Sequence, residues 1–498
     1  MKKFLFGFIL ILSLMPNFTF GQAAAKTTAV AAPAVAKPEY RIPFVNRKLD
    51  NGLEVIVYPD AAVPIVTVEL DVRNGSFTEP PELNGLSHLF EHMFFKPNKA
   101  TLLAQCDAAR ALGRTNDRCN EVFGLRPRLG DVGYLQNIGQ MGITYNGSTR
   151  EEVVNYYYTT TRSYVESALR VINDSVRYPL FDEEDFRKEK EVVIGEIDRN
   201  ESNPFFYLNR TLMEKMFSKY PTRKNPLGTR ESIATATTEK MRTIQGRYYV
   251  PNNSALVVTG DVDPETVFKL AKQYFGDWQA RPVDPFKEFP LVEHPPLTKS
   301  DGFIVEQPVQ NVLIQIGWHG PSIGKDNAAT YAADVFSFIV TQPDSRFQRN
   351  LVDSGLAAGV EIGYYTQRNV GPVVVTLVTS PDKAKAALKA VYAEIAQFDK
   401  PTAYTDAELQ NAKTILESRD LFEREKLSEY AHTLGFWWSS TGIEYFSGYH
   451  QNLRAITRED TDRYIRTYVQ NKPHIGVALL SKESQAIAGL TPADLTGN

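Results

Sequence analysis

Apolar and polar residues alternate over Leu53-Glu54-Val55-Ile56-Val57-Tyr58, just after the turn signal Asp50-Asn51-Gly52, and this predicts a strand. A second strand is predicted over Ile65–Val72, entered from Pro64, where a missing N–H is tolerated, and left at Asn74-Gly75-Ser76. The stretch Gly85-Leu86-Ser87-His88-Leu89-Phe90-Glu91-His92-Met93-Phe94-Phe95 follows. Read as a helix, it turns Leu86, Leu89, Phe90 and Met93 toward a core. Residues 99–135 are Ala-rich, then rich in Arg, Asn and Gly, and are expected to be irregular. Beyond them, Tyr145–Thr149 reads as a strand end, and Val165–Val176 and Glu183–Asp198 as helices. Ser254–Asp261 reads as a buried strand and Pro264–Phe275 as an amphipathic helix.

Pro282, Pro285, Pro290, Pro295 and Pro296 crowd one short stretch, so residues 281–298 are expected to be a linker without regular structure. The pattern then returns. Val309–Trp318 echoes the second strand, and Tyr468–Leu480 echoes Tyr249–Val258. The chain therefore reads as α+β, with two diverged copies of one unit over residues 42–280 and 299–498. Each copy is expected to be a mostly antiparallel sheet packed with helices. The second copy's counterpart of the His-bearing helix, about Asn327–Ile339, has one acid, Asp334, and no His.

A chain of 498 residues is too long for one core, which agrees with two domains. The net charge of -4 without a large basic run argues against nucleic acid and anionic membranes as partners. Met1-Lys2-Lys3, the apolar run Phe4–Leu14 and the small residues near Gly21 make a secretory signal over residues 1–21. An uncleaved anchor is the alternative, although the run is short for a membrane span. Residues 22–41 read as a flexible leader, and the mature chain is expected in the periplasm or secreted. In such a compartment the two cysteines, Cys106 and Cys119, are either joined or two buried thiols; we expect them joined.

The chemistry gathers at His88-Leu89-Phe90-Glu91-His92. On a helix, His88 and His92 lie one turn apart on one face and can hold one metal ion from the same side. Glu91 shares that face, within reach of a water on the metal, in the H-x-x-E-H order. Two packed imidazoles on an apolar helix are the plainer reading of the same five residues.

The wider pattern decides between them. His88–His92, Asn146-Gly147-Ser148-Thr149, Glu189 through Glu196, Tyr249-Val250-Pro251-Asn252-Asn253 and Thr259-Gly260-Asp261-Val262 resemble the zinc metallopeptidase family of pitrilysin, insulin-degrading enzyme and the mitochondrial processing peptidase. The resemblance implies Zn2+ held by His88, His92 and Glu196, with Glu91 and Glu189 as catalytic acids. Glu91 would be the base, and Glu189, seven residues before Glu196, would support the ligands. A solvated, charge-rich helix face is the alternative for Glu189 and Glu196. The resemblance further implies that substrate adds as a strand beside Tyr145–Thr149. Asn146 is the candidate substrate contact there, or simply a turn-forming Asn before Gly. It implies a zinc endopeptidase acting on peptides or unfolded segments. This chain would be half of a four-domain clamshell.

Two features depart from the family. His92 and Glu196 are 104 residues apart, more than is usual, and the surplus near 99–135 reads as an insertion beside the cleft. The family's other half commonly supplies an Arg and a Tyr in a Leu-Arg-x-x-x-Gly-Leu-x-Tyr type stretch. Here Asn350-Leu351-Val352-Asp353-Ser354-Gly355-Leu356-Ala357-Ala358 offers Leu351 or Val352 and Ala358, which donate no side-chain hydrogen bond. The expected partner is thus a homologous chain carrying the Arg/Tyr pair, with a homodimer as the alternative. A non-catalytic scaffold subunit is the competing function.

Overall fold

The computed structural model describes residues 42–114 and 117–497. The expected signal peptide and leader lie outside the described residues. The predicted strands near the start become β2 (Glu54–Pro59) and β3 (Ile65–Val72), preceded by β1 (Val45–Lys48). They join β4 (Thr144–Thr149), β5 (Val154–Thr161) and β6 (Ser254–Gly260) in a six-stranded sheet ordered β1-β2-β6-β3-β5-β4. Only β2 and β6 run parallel; the other pairs are antiparallel. The period of two sorts β3 cleanly. Val66, Val68, Leu70 and Val72 enter the main apolar cluster, while Thr67, Glu69 and Asp71 occupy the other face.

A second sheet holds β7 (Asp301–Glu306), β8 (Val312–His319), β9 (Gly359–Tyr364), β10 (Pro372–Thr379) and β11 (Ile475–Leu480), ordered β7-β11-β8-β10-β9. Again only one pair, β7 with β11, is parallel. Apart from β1, strand order and direction repeat those of the first sheet. The echo of Tyr249–Val258 by Tyr468–Leu480 is the trace of this repeat, since β6 and β11 hold the same place.

Four helices matter to the site. They are α1 (Leu86–Phe94), α2 (Glu183–Glu201), α3 (Asn327–Thr341) and α4 (Leu427–Ser440). α1 lies against the β4–β5 edge of the first sheet, and α2 packs on α1. α4 leaves the second half of the chain and crosses β3 and β6 on the face that carries Glu69 and Asp71. No helix among the described residues is long and apolar enough to cross a membrane.

Two expectations fail here. Residues 99–135 are not irregular: they fold into helices at Lys99–Ala111, Asp117–Phe123 and Arg126–Leu129. Ala100, Leu103 and Cys106 recur at helical spacing and meet Cys119, Val122, Leu129 and Val132 in a small core of their own. A disulfide joins Cys106 to Cys119, and the Asn98 side chain caps the first helix through the Thr101 N–H at 3.0 Å. The linker is not wholly without regular structure either. Pro285–Glu288 forms one helical turn, with Asp284 as its cap and Pro285 at the first position, where proline costs no hydrogen bond.

Candidate metal centre

α1 begins at Gly85, which has φ 83° and offers no side-chain cap. The cap comes instead from Glu79, buried beneath the helix start. Its carboxylate accepts from Gly85 N at 2.7 Å, Ser87 N at 2.6 Å and Asn84 Nδ2 at 3.3 Å. Burial raises this carboxyl above its ordinary value, and those hydrogen bonds oppose the rise. A negative group at a helix N-terminus also suits the helix dipole. Position 85 admits only glycine, because a Cβ would stand 2.7 Å from the Gly228 Cα. On the apolar face Phe90 stacks on Tyr249 and Phe94 on Tyr156, with centroids 4.0 and 3.8 Å apart. The two tyrosine hydroxyls meet at 2.8 Å. This packing fixes the helix about its axis and leaves His88, Glu91 and His92 on the opposite, half-buried face.

α2 brings the third donor. Glu196 Oε2 is 3.5 Å from His88 Nε2 and 3.5 Å from His92 Nε2. Two donors bound tetrahedrally to one zinc, each at 2.0–2.2 Å, stand about 3.4 Å apart, so the spacing fits such an ion. The three donor atoms lie within 4.8 Å of one another, and they form the one such His/Cys/Asp/Glu group among the described residues. Arg199 approaches the other Glu196 oxygen at 3.3 Å.

Glu189, two turns earlier on α2, does not face this group directly. It accepts from His92 Nδ1 at 3.0 Å and pairs with Lys96 on its other oxygen. That bond fixes the ring so that Nε2 points inward. Burial alone would lower the His92 pKa, but the hydrogen bonds to Glu189 and Glu196 and the charge of Glu91 push it up to about 9. Burial would raise Glu189, and His92 and Lys96 more than reverse that. Three carboxylates, those of Glu91, Glu189 and Glu196, thus surround the two imidazoles.

Glu91 Oε2 is 4.0 Å from His88 Nε2 and accepts from Thr149 Oγ1 at 3.2 Å. Beneath it runs β4, the outermost strand of its sheet. A Cβ on Gly147 would stand 2.8 Å from Glu91 Cγ and 3.1 Å from its Oε1, so only glycine leaves the carboxylate its place. Asn146 is exposed on this strand. Its pairing with Tyr157, while neighbouring Gly147 pairs with Tyr156 under α1, puts the Asn146 side chain on the face away from the cluster. The structure thus brings His88, His92, Glu196, Glu91 and Glu189 together and leaves the Asn146 side chain apart. Gly147, Thr149, Lys96 and Glu79 complete the site. Gly147 and Thr149 fall in the Asn146–Thr149 motif of the resemblance, which gave neither a role of its own, and no sequence signal marked Lys96 or Glu79.

In the second half, Leu351 is a buried core residue. Arg349 donates to the main-chain oxygen of Asp344, and the Tyr364 hydroxyl donates to Pro321 O at 3.0 Å.

The pattern of the insulinase family, peptidase family M16, matches residues 55–106 and 130–230, and so takes in His88, Glu91, His92 and Glu196. A second pattern, the peptidase M16 inactive domain, matches residues 235–416. The chain belongs to peptidase family M16. The break at 107–129 begins just after Cys106, within the first disulfide-linked helix, and takes in the two helices that follow. An uncharacterized zinc protease of Bacillus subtilis is 24% identical over 73% of this chain and 80% of its own length. Two solved structures share the M16 fold. A protease from Helicobacter pylori covers 88% of this chain and 99% of its own at 20% identity, with a TM-score of 0.73. The first half of the periplasmic protease PqqL from Escherichia coli covers 91% and 95% at 16% identity, with a TM-score of 0.67.

Proposed function

We propose that this chain is a zinc-dependent endopeptidase that hydrolyses peptides or unfolded polypeptide segments. The observation that carries the reading is Glu196 Oε2 at 3.5 Å from both imidazole Nε2 atoms, with Glu91 beside them. His88, His92 and Glu196 hold the zinc. When bound, zinc polarises the peptide carbonyl and makes an attacking water acidic near neutral pH. Glu91 accepts the proton of that water and returns it to the leaving amine. Thr149 holds the Glu91 carboxylate in line. Glu189 keeps His92 oriented through Nδ1, and Lys96 balances the charge of Glu189. The exposed edge of β4 receives the substrate as an added strand, so main-chain bonds supply affinity without strict sequence preference.

The chain is half of the active unit, and the segments 42–280 and 299–498 are its two domains, joined through 281–298. The likeness to the first half of a two-part protease supports this. With Leu351, Val352 and Ala358 where donors are needed, the other half is a homologous chain carrying an Arg and a Tyr. The disulfide and the likeness to a periplasmic protease support an exported location. The scaffold alternative draws on the inactive-domain match, but that match begins at residue 235, beyond every residue of the metal cluster.

Glu91→Gln tests the mechanism. The variant should keep its zinc and lose at least about 10²-fold of cleavage of an unstructured peptide, the low end for general-base catalysis. Near-normal turnover by this variant refutes the role of Glu91.

A further inference from the structure

The second half of the chain holds no metal ligand, yet one of its helices reaches under the site. α4 covers Thr67, Glu69 and Asp71 on the β3 face away from α1, and all three are buried. The approach is close. A Cβ on Gly435 of α4 would stand 2.2 Å from the Asp71 carboxyl, so the helix can lie there only with glycine at that position. One turn before it, His432 Nδ1 bonds one oxygen of Glu69. The other Glu69 oxygen accepts from Asn155 Nδ2 on β5 at 2.7 Å. Asn155 Oδ1 in turn accepts from the Ser148 main-chain N–H at 2.9 Å and its hydroxyl at 2.8 Å. Ser148 sits between Gly147, which runs beneath Glu91, and Thr149, which bonds the Glu91 carboxylate.

We propose that His432 is a positioning residue for the site: through Glu69, Asn155 and Ser148 it fixes the β4 segment that holds Glu91. The kinetic consequence rests on the peptidase reading above; the structural one does not. The surroundings suit the task. Burial would lower the His432 pKa, but the charge of Glu69, the bond to it and the charge of Glu429 raise it, against Arg150. Tyr157 lies against the ring with centroids 4.5 Å apart. Burial, and then the neighbouring Glu69, raise the Asp71 carboxyl well above its ordinary value. The second half thus acts on the first half's chemistry through a polar chain buried between helix and sheet, where each bond counts for more than at the surface.

Hydrogen exchange on the full chain tests this. His432→Leu removes the donor, and His432→Gln keeps one. In His432→Leu the amides of residues 144–149 should exchange about tenfold faster, the scale of one lost hydrogen bond, while those of residues 254–260 stay protected. His432→Gln should restore most of the protection. Ser148→Ala, which removes only the hydroxyl bond, should loosen the same segment to a smaller degree and serves where the leucine variant does not fold. In cleavage assays His432→Leu should lower kcat with zinc content unchanged. Unchanged exchange at 144–149 in these variants, or equal acceleration at 254–260, overturns the proposal. A wild-type chain that cleaves nothing overturns the peptidase reading and leaves the exchange result standing, so the two fail separately.

Discussion

At 4.0 Å from His88 Nε2, the Glu91 carboxylate owes its place to two neighbours that carry no charge. Thr149 donates to it, and Gly147 makes room for it. Gly147→Ala would push Glu91 aside without touching a metal ligand. Displacements near 1 Å cost about 10²-fold in rate, so the variant should lose cleavage on that scale while its zinc content stays near wild type. Full activity in Gly147→Ala would show that the contact does not position the base. Within the cluster, His88, Glu91 and His92 were legible because helical spacing dictates facing, and Glu189 and Glu196 because their seven-residue spacing matched the family resemblance. The roles of Gly147, Thr149, Lys96 and Glu79 were not, because each meets the cluster only once β4, the end of α1 and the loop before it come together. Asn146 was singled out for its sequence neighbours, and strand alternation turns its side chain to the other face.

At the scale of elements, α1 and α3 hold equivalent places in the two sheets but serve opposite ends. α1 carries donors. α3 buries its one acid, Asp334, which accepts from Tyr449 at 2.7 Å and is pushed up to about 7 by burial. The folded state thus binds this proton more tightly than the unfolded chain, whose ordinary value is 3.8. Stability is therefore lost as pH rises from that value toward about 7, and the penalty is constant above it. Asp334→Asn keeps an acceptor for Tyr449 and carries no charge. Its Tm should exceed that of wild type by a few degrees on the alkaline side, with the gap closing as pH falls; a gap independent of pH contradicts this. β2 and β3 were legible as strands, β6 as a buried apolar run, and β8 and β11 as echoes of the first half, whereas β1, β5, β7, β9 and β10 carried no pattern that was singled out. The sequence hid the helices between residues 99 and 135 because their Arg, Asn and Gly content masks the helical spacing of Ala100, Leu103 and Cys106. The turn at Pro285 was hidden for a related reason: proline breaks a helix interior but suits its first residue.

On the scale of the whole molecule, the two sheets repeat one topology while the metal cluster occurs in the first alone among the described residues. The repeat was visible as paired strand motifs, whereas the passage of α4 across the first sheet was not, since no local pattern announces a contact between residues 69 and 432. If oxyanion donors must come from a partner, the lone chain should cleave an unstructured peptide slowly. Each missing donor typically costs about 10²–10³ in kcat, and the homologous chain should restore that rate. Full-rate cleavage by the lone chain, with no gain from the partner, favours a homodimer. The most direct measurement of the central claim needs no partner: zinc per chain in wild type, His88→Ala and Glu196→Gln after purification and dialysis. We predict one zinc per wild-type chain and little in either variant. Full zinc occupancy in Glu196→Gln would contradict the assignment of the cluster.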